Sequence, residues 1–310
     1  MLDDSELKEA LSDAKAYFFA GHVDSAVDVL LETLDRCEPE SDAAESVYSA
    51  LGGISCALWT RKDFELNKAV TSRVMNEVLK RVGRKIDSEY LDLYVTACVE
   101  TGSSPFPIRR LFRHQNLIEV FPDHLQGDVA ECGCARGFSF LELCLDHAKR
   151  HPGWLGECFH VFDSFEGLSK PIDKDLDFGQ TASDARRLAD NMVAGRFAFP
   201  LELVTENIHR RFPNARLHPG WIPSSFVGQP ERTYRFVHID VDLYEPTRDC
   251  LSYFLPRLAK DGIIITDDYS WPGARRAFQE AYEEKSLPLQ TTDTLQAFLV
   301  SSGAVFHQNK

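Results

Sequence analysis

The chain has 310 residues, of which 44% are apolar and 26% are charged, as in an ordinary globular protein. This length suits one large domain, or a core domain with a smaller appendage. Because 34 Lys and Arg residues face 48 Asp and Glu residues, the formal net charge is −14. Such a surface repels polyanions, which excludes nucleic acid and anionic membranes as expected partners.

The spacing of the cysteines and the composition of the N-terminal residues indicate the cellular compartment. The eight cysteines include no CxxC pair, and most of them lie in apolar runs, as free buried thiols do. The opening stretch MLDDSELKEALSDAKAYFF is acidic where a signal peptide would be basic, and no apolar run reaches membrane-spanning length. We therefore expect a cytoplasmic protein.

The first hundred residues have the apolar spacing of helices and carry no strand signal. A helical hairpin turns at Gly21, a further helix runs from a capping Asp63 to Gly83, and another ends at Gly102. This pattern predicts an all-α N-terminal domain over residues 1–104. We expect it to act as a cap, as a partner-binding surface, or as the contact of a homo-oligomer.

From residue 105 to 310, short β-branched or aromatic runs alternate with amphipathic stretches, which predicts βαβ units and a parallel sheet. The expected fold is α/β, a doubly wound sheet with an antiparallel edge strand and a ligand crevice at the carboxyl ends of its strands. The predicted strands are 128–133, 158–164, 215–220, 235–240 and 262–268, with a final pair near PLQTTD and QAFLVSS. The predicted helices are 138–150, 183–194, 202–211, 246–259 and 273–285.

The first two predicted strands end in motifs that suit a nucleoside ligand. In ECGCARGFS, Gly133 and Gly137 bracket a turn into a helix, where backbone N–H groups can approach a ligand. The second strand ends at Asp163, where an acid can accept hydrogen bonds from ribose hydroxyls. A ligand-free turn and a turn-capping aspartate are the structural alternatives for these two motifs.

Acidic residues end the fourth and fifth strands. The 27 residues from Asp240 to Asp267 leave room for one crossover helix between neighbouring parallel strands. The carboxylates of Asp240, Asp267 and Asp268 are therefore expected to converge within a few ångströms. Such acids need raised pKa values or a shared cation, and carboxylates with open positions suit Mg²⁺. The alternative is that they only cap the following helices.

Two more polar residues accompany this group. Asp242 lies two residues beyond Asp240 and would share its side of an extended chain, so it could serve as a general base. A surface turn is the alternative for Asp242. His238 alternates with Asp240 in the strand, which favours a hydrogen-bonded interior histidine over a catalyst.

Four motifs in this order carry a resemblance: GDVAECGCARG, VFDSFEGLSKP, VHIDVDLYEPT and KDGIIITDDYSWPGARRAFQEAY. Together they resemble the metal-dependent S-adenosylmethionine methyltransferases of the macrocin O-methyltransferase (TylF/MycF/NovP) family, over roughly Tyr90 to Val300. The resemblance implies a class I methyltransferase domain with a Rossmann-like sheet. It also implies an Mg-dependent O-methyltransferase that acts on a hydroxyl, above all a sugar hydroxyl of a glycosylated natural product or glycan precursor.

The resemblance also implies roles for individual residues. It implies that Asp240, Asp267 and Asp268 bind Mg²⁺ or another divalent cation and that Asp242 is the catalytic base. For S-adenosyl-L-methionine, it implies that the methionine part is contacted by Glu131, Gly133 and Gly137. The ribose would be contacted by Asp163, Ser164 and Phe165, and the adenine by Gly220 and Trp221. The polar segment 169–192 is expected to fold over the cleft as a lid, with a solvated loop as the alternative.

Other functions remain open from the residues alone. DVD after an apolar strand is also the pattern of a haloacid-dehalogenase-like phosphatase or of a DxD sugar-nucleotide transferase. A non-catalytic partner-binding protein is a third alternative. These alternatives leave ECGCARG and VFDSFEG without a role or require the acids to be idle.

Overall fold

The computed structural model describes residues 2–38, 41–177, 192–285 and 287–301. The chain divides into two units, Met1–Gln115 and Asn116–Lys310. The assignment of domain roles to 1–104 and 105–310 stays a prediction. Within the described residues, none of the helices combines the length and the hydropathy needed to cross a lipid bilayer.

In its described residues, the first unit is built from helices, as the apolar spacing predicts. They are α1 (Asp4–Phe19), α2 (Val23–Asp35), α3 (Asp42–Thr60), α4 (Phe64–Val82) and α5 (Ser88–Thr101), and α6 (Ile108–Val120) follows. Their apolar faces bury a core that includes Leu30, Val47, Leu58, Met75 and Tyr94.

The helix ends in this unit fall where the sequence signals place them. Asp63 and Asp87 accept hydrogen bonds from the first turns of α4 and α5 with their side chains. Gly83 and Gly102 end the same two helices in the left-handed conformation. The predicted hairpin turn at Gly21 is confirmed between α1 and α2.

The second unit alternates strands and helices. After α6 the order is β1 (Asp128–Cys132), α7 (Phe138–Arg150), β2 (Phe159–Asp163), α8 (Leu201–His209), β3 (Arg216–Pro219), β4 (Tyr234–Ile239), α9 (Tyr244–Phe254), β5 (Leu258–Thr266), α10 (Pro272–Lys285), β6 (Leu289–Thr291) and β7 (Ala297–Val300). The predicted helix at 183–194 falls largely on residues 178–191, outside the described residues.

The described strands form a seven-stranded sheet in the order β3-β2-β1-β4-β5-β7-β6. Strands β1 to β5 are parallel, whereas β7 pairs antiparallel with both β5 and β6. This confirms the doubly wound sheet with an antiparallel edge. Because the chain order reverses on either side of β1, the crevice at the carboxyl ends of β1 and β4 is a switch point suited to a ligand.

Helices cover both faces of the sheet, which explains the nearly continuous apolar strands. Val129, Phe236 and Ile263 pack on one face with residues of α7 and α8. Ala130, Val237 and Ile264 pack on the other face with residues of α9 and α10. The buried sheet therefore leaves its strand ends as the place where polar groups gather.

One predicted helix is too long. The helix expected over 246–259 ends at Phe254, and β5 begins at Leu258 rather than at 262. Pro256 explains the difference, since proline cannot continue the helical hydrogen bonds and Leu255–Arg257 forms a short 3₁₀ turn.

Candidate active site

The turn after β1 brings the strand tip close to its neighbour. Gly133 has φ +78°, and a Cβ there would lie 2.0 Å from the backbone oxygen of Asp240. The amide of Asp240 in turn donates to the carbonyl of Cys132 at 2.8 Å. The glycine is therefore required by the close approach of β1 and β4. Gly137, at φ +83°, begins α7 and rests on Ile208.

Glu131 lies beneath this turn rather than on its surface. Its side chain is fully buried, and Oε1 accepts hydrogen bonds from His238 Nδ1 at 2.9 Å and from the hydroxyl of Ser139. Its second oxygen, Oε2, is buried and has no hydrogen-bond partner among the described residues. An unsatisfied buried carboxylate oxygen is costly and calls for a donor.

His238 connects Glu131 to the tip of β5. The imidazole is fully buried, and its Nε2 lies 3.5 Å from Asp267 Oδ1, an ion-pair separation rather than a hydrogen bond. Burial would lower the pKa of His238, but Asp267 and Glu131 together raise it well above its ordinary value. The ring therefore lies buried between two carboxylates, in keeping with its predicted interior position.

The three predicted metal ligands lie at adjacent strand ends. Ile239 of β4 pairs with Thr266 of β5, so Asp240 and Asp267 follow side by side. Asp267 and Asp268 are buried, and Asp240 is partly exposed. Burial, then the carboxylates of Asp268 and Asp267, raise the pKa of Asp240 well above its usual value against the opposing effect of His238.

Two of these carboxylates accept hydrogen bonds from neighbouring groups. Asp267 Oδ1 accepts from Gln296 Nε2 at 2.8 Å, and Asp268 Oδ2 accepts from the amide of Asp242 at 2.8 Å. The three aspartates are not a group whose ligating atoms all lie within 4.8 Å of one another. The expectation that all three carboxylates converge is not met, although the three residues are neighbours at the strand ends. Their assignment as metal ligands stays a prediction.

The backbone at Asp242 differs from the expectation. Strand β4 ends at Ile239, and Asp242 has φ +59°, so the alternation of an extended chain does not apply to Asp240 and Asp242. The prediction that Asp240 and Asp242 share one side of an extended chain is therefore wrong, because the chain is not extended at Asp242. A non-glycine residue in the left-handed region is uncommon outside turns, and aspartate is among those that tolerate it. The side chain is partly exposed, and its catalytic role stays a prediction.

Asp163 ties β2 to the turn after β1. Its Oδ2 accepts from the amide of Cys134 at 2.7 Å, and its Oδ1 accepts from the amide of Phe165 at 2.7 Å. The turn-capping alternative therefore describes what these oxygens do here, while the ribose contact stays a prediction. Beside it, Ser164 Oγ donates to the carbonyl of Gly167 at 3.1 Å.

The turn after β3 adjoins a surface cleft. Gly220 donates its amide to the carbonyl of Asp163 at 2.9 Å, which fixes this turn against the tip of β2. Trp221 is 38% exposed and lines a cleft of about 320 Å³ together with Glu166, Leu168 and Lys170. An exposed indole beside a cleft of this kind offers a flat apolar wall to a ring.

The expected lid, 169–192, is only partly described, because residues 178–191 lie outside the described ranges. Its flanks are joined, since the amide of Leu168 donates to Arg196 O and that of Gly195 donates to Leu168 O, both at 2.9 Å. The buried Asp175 accepts from the amide of Tyr244 at 2.6 Å. This side chain therefore attaches the segment to the first residue of α9.

The sequence interpretation missed three residues of this site: Ser139, Asp175 and Gln296. Ser139 and Gln296 hold Glu131 and Asp267, respectively. Ser139 follows Gly137 in the first turn of a helix, and Gln296 is the polar residue before a wholly apolar strand. Both positions therefore gave a weak sequence indication of a polar contact near the strand ends. Asp175 lacks one, because its partner at Tyr244 is 69 residues away.

The cysteines near the site are inert packing residues. Cys132 and Cys134 are free and buried. Burial is the first cause that raises the pKa of each thiol well above its ordinary value, which keeps the nucleophilic thiolate scarce.

Comparison with known proteins matches residues 99–299 to the family described as macrocin-O-methyltransferase (TylF). The 8-demethyl-8-(2,3-dimethoxy-alpha-L-rhamnosyl)-tetracenomycin-C 4'-O-methyltransferase of Streptomyces olivaceus is 31% identical over 183 residues, covering 56% of this chain and 65% of that protein. The mycinamicin III 3''-O-methyltransferase of Micromonospora griseorubida is 26% identical over 178 residues, covering 56% and 67%.

Among solved structures, the O-methyltransferase NovP superposes with a TM-score of 0.49 at 25% identity, covering 62% of this chain and 79% of that one. The chain spans about two thirds of the length of the two curated relatives named above, 65% of the first and 67% of the second. The family match itself covers 201 of the 310 residues, counted from 99 to 299. By this match, the chain belongs to the macrocin O-methyltransferase (TylF) family.

Proposed function

We propose that this protein transfers a methyl group from S-adenosyl-L-methionine to a hydroxyl, and that the acceptor is a sugar of a glycosylated natural product or glycan precursor. Family membership supports the reaction, and the names of the tetracenomycin and mycinamicin relatives support a glycoside. The observation that carries the proposal is structural. A glycine turn, Asp163 and three aspartates lie at the carboxyl ends of β1, β2, β4 and β5, along one edge of the sheet.

The turn after β1 has features that suit a nucleoside ligand carrying an amino acid. The orphaned Oε2 of Glu131 is an acceptor that a cationic ammonium group would satisfy, and Gly133 and Gly137 keep side chains out of the turn above it. Asp163, Ser164 and Phe165 would hold the ribose, and Gly220 and Trp221 would border the adenine. When bound, S-adenosylmethionine supplies a methyl group activated by its attachment to a sulfonium.

The donor set at the tips of β4 and β5 suits a hard divalent cation. Asp240, Asp267 and Asp268 offer only carboxylate oxygens, which Mg²⁺ prefers. Burial, and after it the negative charge of Asp268 and Asp267, raises the pKa of Asp240, and a bound cation would favour its ionised form. We propose that these three residues hold Mg²⁺ or another divalent ion, which when bound stabilises the developing alkoxide of the acceptor.

Asp242 is proposed as the general base. Its amide donates to Asp268, which fixes the backbone of this residue beside the metal-ligand set. A carboxylate there can accept the hydroxyl proton, directly or through one water, as methyl transfer proceeds. The remaining contribution of the chain is alignment of the acceptor with the methyl group and exclusion of water.

The helical N-terminal region is proposed to support a homo-oligomer. α1 leaves Tyr17 and Phe19 exposed by 43% and 70%, apolar surface that a second copy of the chain could cover. Sedimentation velocity across a hundredfold range of concentration tests this part. A species that stays monomeric throughout removes it without affecting the proposed reaction.

The reaction is tested with purified protein, methyl-labelled S-adenosylmethionine and a panel of natural-product glycosides and nucleotide sugars. We expect label in a sugar hydroxyl of at least one acceptor, loss of transfer with a chelator, and recovery with Mg²⁺. The panel includes aglycones that lack the sugar, so that transfer to a phenolic hydroxyl is recognised.

Calorimetry with S-adenosylmethionine separates the possible failures. A protein that does not bind S-adenosylmethionine contradicts the proposal as a whole. Methyl transfer that persists at full rate after chelation contradicts the proposed metal dependence but leaves the proposed methyltransferase activity standing. Glu231→Gln, a change at a side chain 86% exposed, is the control for the variants below and should match the unaltered protein.

A further inference from the structure

Three potential metal ligands meet at the C-terminal end of α7, outside the candidate active site. Asp123, His147 and His151 each offer one ligating atom, and these atoms all lie within 4.8 Å of one another. In the ranges that the structure describes, this is the one such group of three. It combines two imidazoles with one carboxylate, which differs in chemistry from the all-carboxylate set at the strand tips.

The local structure explains why these residues meet. His147 and His151 are four residues apart, in the sequence HAKRH, and the amide of His151 closes the last helical turn on His147 O at 3.0 Å. Residues at this spacing share one face of a helix. Asp123 comes from the turn after α6, and its two oxygens separately contact His147 Nδ1 and His151 Nε2, the latter at 2.8 Å.

The first histidine is held rigidly. The ring of His147 packs against Trp154 at 4.6 Å and Phe159 at 5.1 Å, measured between ring centroids, and it lies 4.1 Å from the ring of His151. Only 9% of the His147 side chain is exposed, against 47% for His151. One ligand is therefore fixed by packing, and another faces water, from which an ion can enter.

Arg150 competes for the carboxylate of this group. Its Nε donates to Asp123 Oδ2 at 2.8 Å, but its NH1 also donates to Asp146 Oδ1 at 3.1 Å. The arginine therefore keeps a partner on its own helix when an ion takes its place at Asp123. The charges of Asp123 and Asp146 are offset by the guanidinium groups of Arg150 and Arg235, so a cation would be held here by coordination rather than by net negative charge.

We propose that Asp123, His147 and His151 form a binding site for a transition-metal cation of the Zn²⁺ class. Two imidazole nitrogens and a carboxylate suit Zn²⁺, Co²⁺ or Ni²⁺ and not Mg²⁺. With metal–ligand distances of about 2.0–2.1 Å, ligands of a tetrahedral site are about 3.3 Å apart. The 2.8 Å contact of His151 with Asp123 would lengthen by about half an ångström, a small movement for a half-exposed side chain.

The test is Zn²⁺ titration of the full chain by calorimetry, with Mg²⁺ at saturation to occupy the carboxylate set. We expect about one equivalent of Zn²⁺ per chain, a visible spectrum of tetrahedral Co²⁺ on substitution, and a rise in Tm with added Zn²⁺. His151→Ala should lose all three signals. His22→Ala, at an exposed histidine whose side chain makes no capping hydrogen bond, should keep them.

A second variant guards against loss of fold. Asp123→Asn keeps the size of the side chain, so circular dichroism should be unchanged while Zn²⁺ affinity falls at least about tenfold. The proposal is overturned if the unaltered protein binds no Zn²⁺ beyond what His151→Ala binds, or if His22→Ala weakens binding as much as His151→Ala. Neither outcome depends on methyltransferase activity.

Discussion

The two units of the chain handle charge in opposite ways. In the helical unit, ion pairs such as Arg36 with Glu6 and Arg73 with Asp28 lie on the surface, with side chains about half exposed. In the α/β unit, Glu131, His238 and Asp267 are buried together at the strand ends. Surface pairs contribute little to stability, whereas buried charges carry a large desolvation cost.

This difference separates residues that support the fold from residues that support function. The buried core of the helical unit includes neutral polar side chains that bond to one another: Ser55 Oγ, for example, donates to Asn67 Oδ1 at 2.9 Å. At the strand tips, by contrast, like charges adjoin and the pKa of Asp240 is raised. A fold gains nothing from such an arrangement, so strongly perturbed carboxylates in a crevice indicate a reactive site.

Asp240→Asn should have the largest effect. We expect methyl transfer to fall to the uncatalysed background, because the cation loses a charged ligand, while binding of S-adenosylmethionine is retained in calorimetry. At the same time Tm should rise, since a carboxylate whose pKa is raised in the folded state is destabilising when ionised. A variant that is less stable and fully active would mean that Asp240 is structural.

Asp242→Asn should have the next largest effect. Removing a general base lowers kcat by about 10²- to 10⁴-fold, and binding of the cation should be unchanged because Asp242 is not among the proposed ligands. Transfer rates at saturating acceptor provide the measurement. Glu245→Gln, at an exposed carboxylate three residues on, is the matched control. Equal rates for Asp242→Asn and the control would remove Asp242 from the base role.

Much of this architecture follows from local sequence signals. The central strands of the parallel sheet contain apolar runs, such as FV in β4 and III in β5. The capping residues Asp63 and Asp87 and the glycines Gly83 and Gly102 mark helix ends. Asp163, Asp240 and Asp267 were identifiable because each follows a buried strand, and the ends of parallel strands share one edge. Chain order and residue type therefore sufficed to predict which strand ends carry the candidate site residues.

Side-chain directions could not be predicted in this way. The carboxylates of Asp267 and Asp268 are oriented by Gln296 and by the amide of Asp242, contacts 29 and 26 residues away along the chain. The left-handed backbone at Asp242 has no marker in DVDLYEP, since aspartate tolerates but does not demand it. Partners of this kind depend on tertiary packing, which a pattern of residue types does not encode.

A hydrogen-bonded pair of histidines in the α/β unit makes stability depend on pH. His160 Nε2 contacts Asp128 at 3.0 Å, His160 Nδ1 contacts His218 Nε2 at 3.0 Å, and Gln229 contacts His218 Nδ1 at 3.1 Å. Burial, then the charges of His160, Arg232 and Arg216, lower the pKa of His218 to about 4. The unfolded chain therefore binds more protons than the folded one between about pH 6.5 and 4.

Stability should consequently fall as pH drops from about 6.5 to 4, with a slope from His218 of at most about 1.4 kcal/mol per pH unit. His218→Gln keeps hydrogen-bonding capacity but cannot titrate, so the pH dependence of the unfolding free energy should flatten in this window. Urea unfolding at several pH values gives the slope. Identical slopes in both proteins would show that His218 is not the group responsible.

The smallest effect is expected in the helical unit, where charges serve local structure. Asp87 accepts from the amides of Glu89 and Tyr90 at 2.9 and 3.0 Å, which satisfies the first turn of α5. Asp87→Ala should cost about 1 kcal/mol of unfolding free energy, and Asp87→Asn only a few tenths, because asparagine caps about as well. Neither change should alter kcat. If both variants lose activity without losing stability, charge placement in the helical unit matters to the reaction, and the division between supporting and reactive charges fails there.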